Sequence, residues 1–249
     1  MRQRIRAGEE LTGMFLSEVA APNLLRLMQA AGLDYVIVDC EHGSFDYSQV
    51  SALAAVANGI RFPMIVRIPS ADRECIQKYL DAGADGLLVP MTESVKQAEQ
   101  LVRFGRYAPE GKRGISTMRP HSNYNPGVLT EYTRQANERV MLFVQIETKR
   151  GVKQIREILS IPGLDGVWIG PNDLACDLGG IGDFAVPGLE ESMVQVTDAA
   201  KACGLPCGII SSRADLIRKC RRMGMTMFSC DSEMGLLKKG ILAMREQVQ

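Results

Sequence analysis

Two carboxylates in the second half of the chain have the type and spacing to hold a metal ion. Glu147 closes the apolar run Val140-Met-Leu-Phe-Val-Gln-Ile146, and Asp173 lies in Ile169-Gly-Pro-Asn-Asp-Leu174, just past the next apolar run. If those runs are neighbouring parallel strands, their backbones lie about 4.8 Å apart and both acids leave the same edge of the sheet. Two oxygen ligands beside a glycine-bearing turn describe a site for a hard divalent cation, Mg²⁺, Mn²⁺ or Co²⁺. The plainer alternative for Asp173 is a cap on the helix that follows it.

The other strand ends supply groups that would work with such an ion. The second strand runs into Asp39-Cys-Glu41-His42-Gly43, the third ends at Arg67, and the fifth carries Gln145 ahead of Glu147. The sixth leads into Gly170-Pro171-Asn172, the seventh into Ser211 and Ser212, and the eighth into Asp231. His42 is one of only two histidines, and either Asp39 or Glu41 could orient its ring. A 2-oxo acid chelating the ion would develop negative charge on its keto oxygen as C3 loses a proton. Arg67 would stabilise that charge, and His42, directly or through water, would carry the proton. Backbone N–H groups of Asn172 and Asp173 would hold the substrate carboxylate. Imine chemistry is not expected, because no lysine falls within a strand. Asp231 and Glu233, at the start of the last helix, would repel a phosphate there.

Eight strand-like runs must position these residues: Leu11–Leu16, Asp34–Cys40, Phe62–Ile68, Gly86–Pro90, Val140–Glu147, Gly166–Gly170, Pro206–Ser211 and Met225–Cys230. Several are continuously apolar, as strands buried on both faces are, and helical stretches separate them. The phrases Ala-Gly-Leu-Asp34, Ala-Gly-Ala-Asp85 and Pro-Gly-Leu-Asp165 each precede a strand, one helix-stop device used three times. The pattern predicts a single (β/α)₈ barrel over the whole chain, with an open doubly wound sheet as the alternative. Against that alternative, no G-x-G-x-x-G follows the first strand. The long irregular stretch 107–127 is expected on the face that carries the site, as a lid or a subunit contact.

Composition narrows the partners. Twenty-nine basic residues balance 29 acidic ones, which leaves no global field for nucleic acid or an anionic membrane. The seven cysteines lack paired zinc spacing and are expected as small buried hydrophobes in a reducing compartment. With no apolar leader and no run long enough to span a bilayer, a cytoplasmic protein is expected.

Six blocks of the chain together resemble the HpcH/HpaI aldolases, metal-dependent class II pyruvate aldolases. They are Asp39-Cys-Glu-His42, Val66-Arg67, Leu87-Leu-Val-Pro-Met91, Arg106-Tyr-Ala-Pro-Glu-Gly-Lys-Arg-Gly114, Val144-Gln-Ile-Glu-Thr148 and Asp165-Gly-Val-Trp-Ile-Gly-Pro-Asn-Asp-Leu174. The resemblance implies a (β/α)₈ barrel, a divalent metal on Glu147 and Asp173, Arg67 at the keto oxygen, and a His42–Asp39 pair. It places Gln145, Gly170, Pro171 and Asn172 around the substrate, and Arg119 at its far end. It further implies that Asp81 of a neighbouring subunit supports the histidine, in a hexamer built as a trimer of dimers with the last helix exchanged. Cys40 and Asn172 depart from the family's usual Gly and Ala, which bears on substrate rather than chemistry. A lyase acting on a CoA thioester, like the citrate lyase β-subunit and malyl-CoA lyase, is the alternative enzyme. A non-catalytic barrel that binds an oxo acid is the alternative outside enzymes.

Overall fold

The computed structural model describes residues 1–248. Eight parallel strands close into a barrel in the order β1 to β8, so the open-sheet alternative is excluded. The strands are β1 (Leu11–Leu16), β2 (Tyr35–Asp39), β3 (Met64–Arg67), β4 (Gly86–Val89), β5 (Met141–Ile146), β6 (Gly166–Ile169), β7 (Cys207–Ile210) and β8 (Met227–Ser232). Each predicted run contains or overlaps its strand, most trimmed by a residue or two at the ends. The helices used below are α1 (Arg2–Arg6), α2 (Leu24–Ala30), α3 (Tyr47–Ile60), α4 (Arg73–Asp81), α5 (Val95–Gly105), α6 (Leu129–Arg139), α7 (Lys149–Lys153), α8 (Ile155–Leu159) and α9 (Pro171–Asp177). They continue with α10 (Leu189–Ala202), α11 (Ala214–Met223) and α12 (Glu233–Glu246). Among the described residues no helix is long and apolar enough to cross a membrane.

Strand alternation divides the core in two. Val36, Val38, Val66, Leu87, Val144 and Ile169 face the helices. Phe15, Ile37, Ile65, Leu88, Phe143, Trp168 and Met227 fill the barrel interior. Two large rings need small neighbours to fit there. A Cβ on Gly13 would run into the Tyr35 ring, and one on Gly208 would lie 2.8 Å from Trp168 Cε3. The two rings meet edge to face with centroids 5.8 Å apart.

The thrice-used Gly-x-Asp phrase turns out to bracket alternate strand pairs. Asp34 donates its amide to Thr12 O and accepts Thr12 N–H on its carboxylate at 2.9 Å. Asp85 does the same with Met64, and Asp165 with Leu142. Each aspartate therefore locks the start of an even-numbered strand to the odd strand before it. Thr226 holds the fourth equivalent place, its amide donating to Cys207 O, but its hydroxyl is unpartnered.

The Asp165 bracket carries a further load. Arg106, fully buried, donates to Asp165, Gly163 O, Asn137 O and Val140 O, and Arg2 of α1 reaches Asp165 Oδ1 at 2.6 Å. This ion cluster sets the register of β5 and β6, the two strands that carry the paired carboxylates.

The stretch 107–127 leaves α5 rather than β4, so it does not interrupt the unit on the site face as predicted. It runs outside the barrel against α3 and α4. Arg113 donates to Asp81 at the end of α4, His121 O accepts from Arg139, and Pro120, Asn123 and Tyr124 face Ser48, Ser51 and Asn58 of α3.

Candidate active site

Period-two alternation places the polar residues one row above the barrel core. Two residues beyond Ile37, Ile65, Phe143 and Met227 come Asp39, Arg67, Gln145 and Ser229, all on the inward face at the carboxyl ends of the strands. There they line a cavity of about 340 Å³ with Phe15, His42, Gly170, Pro171, Asn172 and Asp173. Ser17, Ile210, Ser211, Ser212, Asp231 and Ser232 complete its wall. Catalytic barrels build their sites at this end.

Arg67 is the hub. Its Nε and Nη2 donate to Asp39 at 2.9 and 2.7 Å, a bidentate pair, and its Nη1 lies 3.0 Å from Glu41 Oε2. The guanidinium also stacks over Phe15, 4.9 Å from the ring centre. Burial works against its charge, but Asp39, Glu41 and Glu147 outweigh it and hold its pKa above the ordinary value.

Glu147 sits just behind the wall made by Gln145 and Gly170. Its Oε1 accepts Met91 N–H at 2.6 Å and its Oε2 accepts Gln145 Nε2 at 2.5 Å. Burial, reinforced by the charges of Glu41 and Asp173 and opposed by the Met91 bond, pushes its pKa up to about 7. Gly170 is required here, because a Cβ would collide with Glu147 Oε2 and lie 2.8 Å from Gln145 Nε2. Asp173 stands in the first turn of α9, behind Pro171. The amides of Asn172 and Asp173 belong to that same turn, where no earlier carbonyl serves them within the helix.

Three carboxylates, Asp39, Glu41 and Glu147, thus share one guanidinium, and Asp173 adds its charge beside Glu41 and Glu147. That excess of negative charge, with Glu147 held partly protonated chiefly by its burial, suits a divalent cation on Glu147 and Asp173. Among the described residues no group of three His, Cys, Asp or Glu side chains forms a closed metal cage. A site with two protein ligands leaves coordination positions for a chelating substrate and water.

His42 is exposed on the rim, its Nε2 3.8 Å from Glu41 Oε2. The expected His42–Asp39 side-chain pair is not made within the chain. Asp39 spends its oxygens on Arg67 and on the amides of Glu41 and His42, so it fixes the histidine's backbone rather than its ring. Asp81 and Arg119 do not line the cavity of their own chain; Asp81 is held by Arg113 at 2.6 Å.

Beside Arg106, one structural residue escaped the sequence reading. Glu233 was read only as repelling phosphate, yet its buried carboxylate accepts the amides of Ser17, Glu18 and Val19 at 2.6–3.1 Å, anchoring the β1 loop beside the cavity. Gln145 Oε1, buried and without a partner, faces the same region. The cysteines form no disulfide. Burial pushes the Cys40 thiol up to about 11 and those of Cys207 and Cys220 up to about 12, although Cys176 and Cys203 are exposed.

The closed parallel barrel gathers acids, an arginine and a histidine at the carboxyl ends of its strands, and the chain's relatives identify this as the site of a carbon–carbon lyase. The family model described as HpcH/HpaI aldolase/citrate lyase matches residues 11–239, and the chain belongs to that family. A hydroxypyruvate/pyruvate aldolase of Roseovarius nubinhibens is 33% identical, over 95% of this chain and 91% of its own. A 5-keto-4-deoxy-D-glucarate aldolase of Salmonella arizonae is 30% identical, over 90% and 87%. The crystal structure of an HpcH/HpaI aldolase from Desulfitobacterium hafniense, 30% identical, matches 100% of this chain and 96% of that one with a TM-score of 0.94.

Proposed function

We propose that the protein is a metal-dependent class II aldolase that cleaves a 4-hydroxy-2-oxo acid to pyruvate, or a related 2-oxo acid, and an aldehyde. The observation that carries this reading is the gathering of Asp39, His42, Arg67, Gln145 and Asp173 around one cavity, with Glu147 bonded to Gln145 just behind its wall. Glu147 and Asp173 would hold the divalent ion, which when bound supplies the Lewis acidity that makes the carbon beside the ketone acidic.

The chain's own groups account for the remainder. The amides of Asn172 and Asp173, with Gly170 and Pro171 shaping the approach, receive the substrate carboxylate. Gln145 presents its unpartnered Oε1 toward the substrate and steadies Glu147 with its Nε2. Arg67, rigid through Asp39, stabilises negative charge on the keto oxygen. In cleavage the proton leaves the 4-hydroxyl, the C3–C4 bond breaks, and its electron pair goes to C3, which then takes a proton to become the methyl of pyruvate. His42 on the rim moves these protons, through water where its reach requires.

A second copy of the chain completes this account. On α12 only Glu233 is buried, while Met234, Leu236, Leu237, Ile241, Leu242 and Met244 are exposed. A contiguous apolar helix of this kind marks a contact with another subunit. The assembly we favour is a hexamer, a trimer of dimers, in which Asp81 and Arg119 of one subunit approach the rim of another. Incubation of 2-oxo-4-hydroxy acids with the protein should release pyruvate. Mixing inactive His42→Ala and Asp81→Ala proteins should restore activity by forming intact composite sites. Release of acetyl-CoA from a malyl thioester, with no pyruvate from any oxo acid, would replace this reading with a CoA-dependent one.

A further inference from the structure

Outside the cavity, one carboxylate is held more firmly than its place at the surface requires. Asp81 is the last residue of α4, where the carbonyl end of the helix disfavours a negative charge. Two side chains that are themselves buried turn toward it. Arg113 Nη2 donates to its Oδ1 at 2.6 Å, and His121 Nε2 lies 3.5 Å from the same oxygen. Arg113 is 5% exposed and His121 4%, while Asp81 stays partly in solvent. The Tyr107 ring backs the arginine, its centre 4.7 Å from the guanidinium carbon.

His121 also ties down the stretch that carries Arg119. Its Nε2 lies 3.0 Å from Ser116 O, which only accepts, so Nε2 bears the ring proton. Nδ1 is then an acceptor and takes the hydroxyl proton of Tyr132 on α6. Burial first, then the charge of Arg113, lowers the pKa of the ring, in keeping with this neutral form. The His121 carbonyl accepts Arg139 Nη2 at 2.9 Å. Just beyond it, Asn123 and Tyr124 both hold left-handed backbone, with φ of 52° and 57°. Such a pair of non-glycine residues is strained, and it folds the Ser122 and Tyr124 amides back onto Arg119 O. Arg119 is thus fixed in its backbone and exposed in its side chain. It shares one patch with Asp81: burial raises the pKa of Tyr47, the Asp81 charge adds to the rise, and the Arg119 charge opposes it.

We propose that His121 is a positioning residue that acts across the subunit boundary, holding Asp81 and Arg119 of its own chain in the arrangement that reaches a neighbour's rim. The inference rests on the aldolase reading and on the assembly favoured above. It adds the residue that sets the reach of those two groups. A lesion at His121 is therefore felt in the site whose His42 belongs to the neighbour, and the site at its own barrel mouth keeps all its groups.

Cleavage of a 4-hydroxy-2-oxo acid and Mn²⁺ affinity are measured for wild type, His121→Ala, His121→Gln and Tyr132→Phe. His121→Ala should lose about tenfold or more in kcat/KM yet bind Mn²⁺ within about twofold of wild type, since Glu147 and Asp173 are untouched. His121→Gln, whose amide can donate to Ser116 O, should regain most of that loss, and Tyr132→Phe should show it to a smaller degree. Pairs of chains are then co-expressed in equal amounts. His121→Ala with His42→Ala should recover about one quarter of wild-type activity, the share of sites that join an intact His42 to an intact His121. His121→Ala with Asp81→Ala should stay at the level of its parents, because both lesions fall on the same side of the shared site. Tyr132→Phe should obey the same pairing rule, which keeps the test open if His121→Ala does not fold. The reverse pattern of recovery, or unchanged kcat/KM in both His121→Ala and Tyr132→Phe, would overturn the positioning role alone. No pyruvate from the wild type, or no recovery from His42→Ala with Asp81→Ala, would remove the underlying reading and this inference with it.

Discussion

Binding of a divalent cation should expel a proton from Glu147, and the pH at which it does so follows from the site. A carboxyl with a pKa of about 7 is about nine-tenths protonated at pH 6 and about one-tenth at pH 8. Cation binding requires the carboxylate, so titration with Mn²⁺ should release about 0.9 proton per site at pH 6 and about 0.1 at pH 8. Calorimetry in two buffers of different ionisation enthalpy measures that number directly. Glu147→Gln should lose most of the release together with most of the affinity. The same shift acts on the stability of the metal-free protein. Between pH 4.5 and about 7 the folded chain holds this proton and the unfolded chain does not, so stability falls as pH rises through that window. The full loss is about 3 kcal/mol, and Glu147→Gln should flatten it. Release of no proton at pH 6, or the same release from Glu147→Gln, would refute the assignment of Glu147 as the protonated ligand.

Other consequences are structural. Gly170→Ala should displace the Glu147 carboxylate and lower both Mn²⁺ affinity and turnover by about 100-fold, with little change in the far-UV spectrum. Arg106→Ala leaves Asp165 with Arg2 as its close cation and takes the guanidinium donor from the carbonyls of Val140 and Gly163, and should cost about 3 kcal/mol, read as a fall in Tm of about 9 °C. Gly13→Ala pushes a methyl into the Tyr35 ring and should destabilise by about 1–3 kcal/mol in urea unfolding, whereas Gly8→Ala, with open space around it, meets no such obstruction.

Much of the architecture could be read from the chain because parallel barrel strands are short, apolar and separated by helix punctuation. That Glu147 and Asp173 follow neighbouring strands could be read from that pattern, since β5 and β6 are consecutive and pair, whereas the place of Asp173 within the first turn of α9 is a fact of the structure. The partners of Asp39 could not be read. Strand position places it beside both His42 and Arg67, and only side-chain geometry shows the guanidinium taking both carboxylate oxygens. Arg106 and Glu233 were missed for a related reason. Each makes contacts more than 30 residues away, and a buried ion anchoring distant backbone has no local signature. The long stretch 107–127 was placed on the wrong side of its unit because its composition marks a loop but not whether it leaves a strand or a helix.

The account's central claim is tested most directly by following pyruvate formation from a 4-hydroxy-2-oxo acid after exhaustive chelation. The rate should fall by at least about 100-fold and return on addition of Mg²⁺, Mn²⁺ or Co²⁺ to the wild type, but not to Glu147→Ala or Asp173→Ala. Full turnover by metal-stripped wild-type enzyme, or metal-restored turnover in either variant, would contradict it.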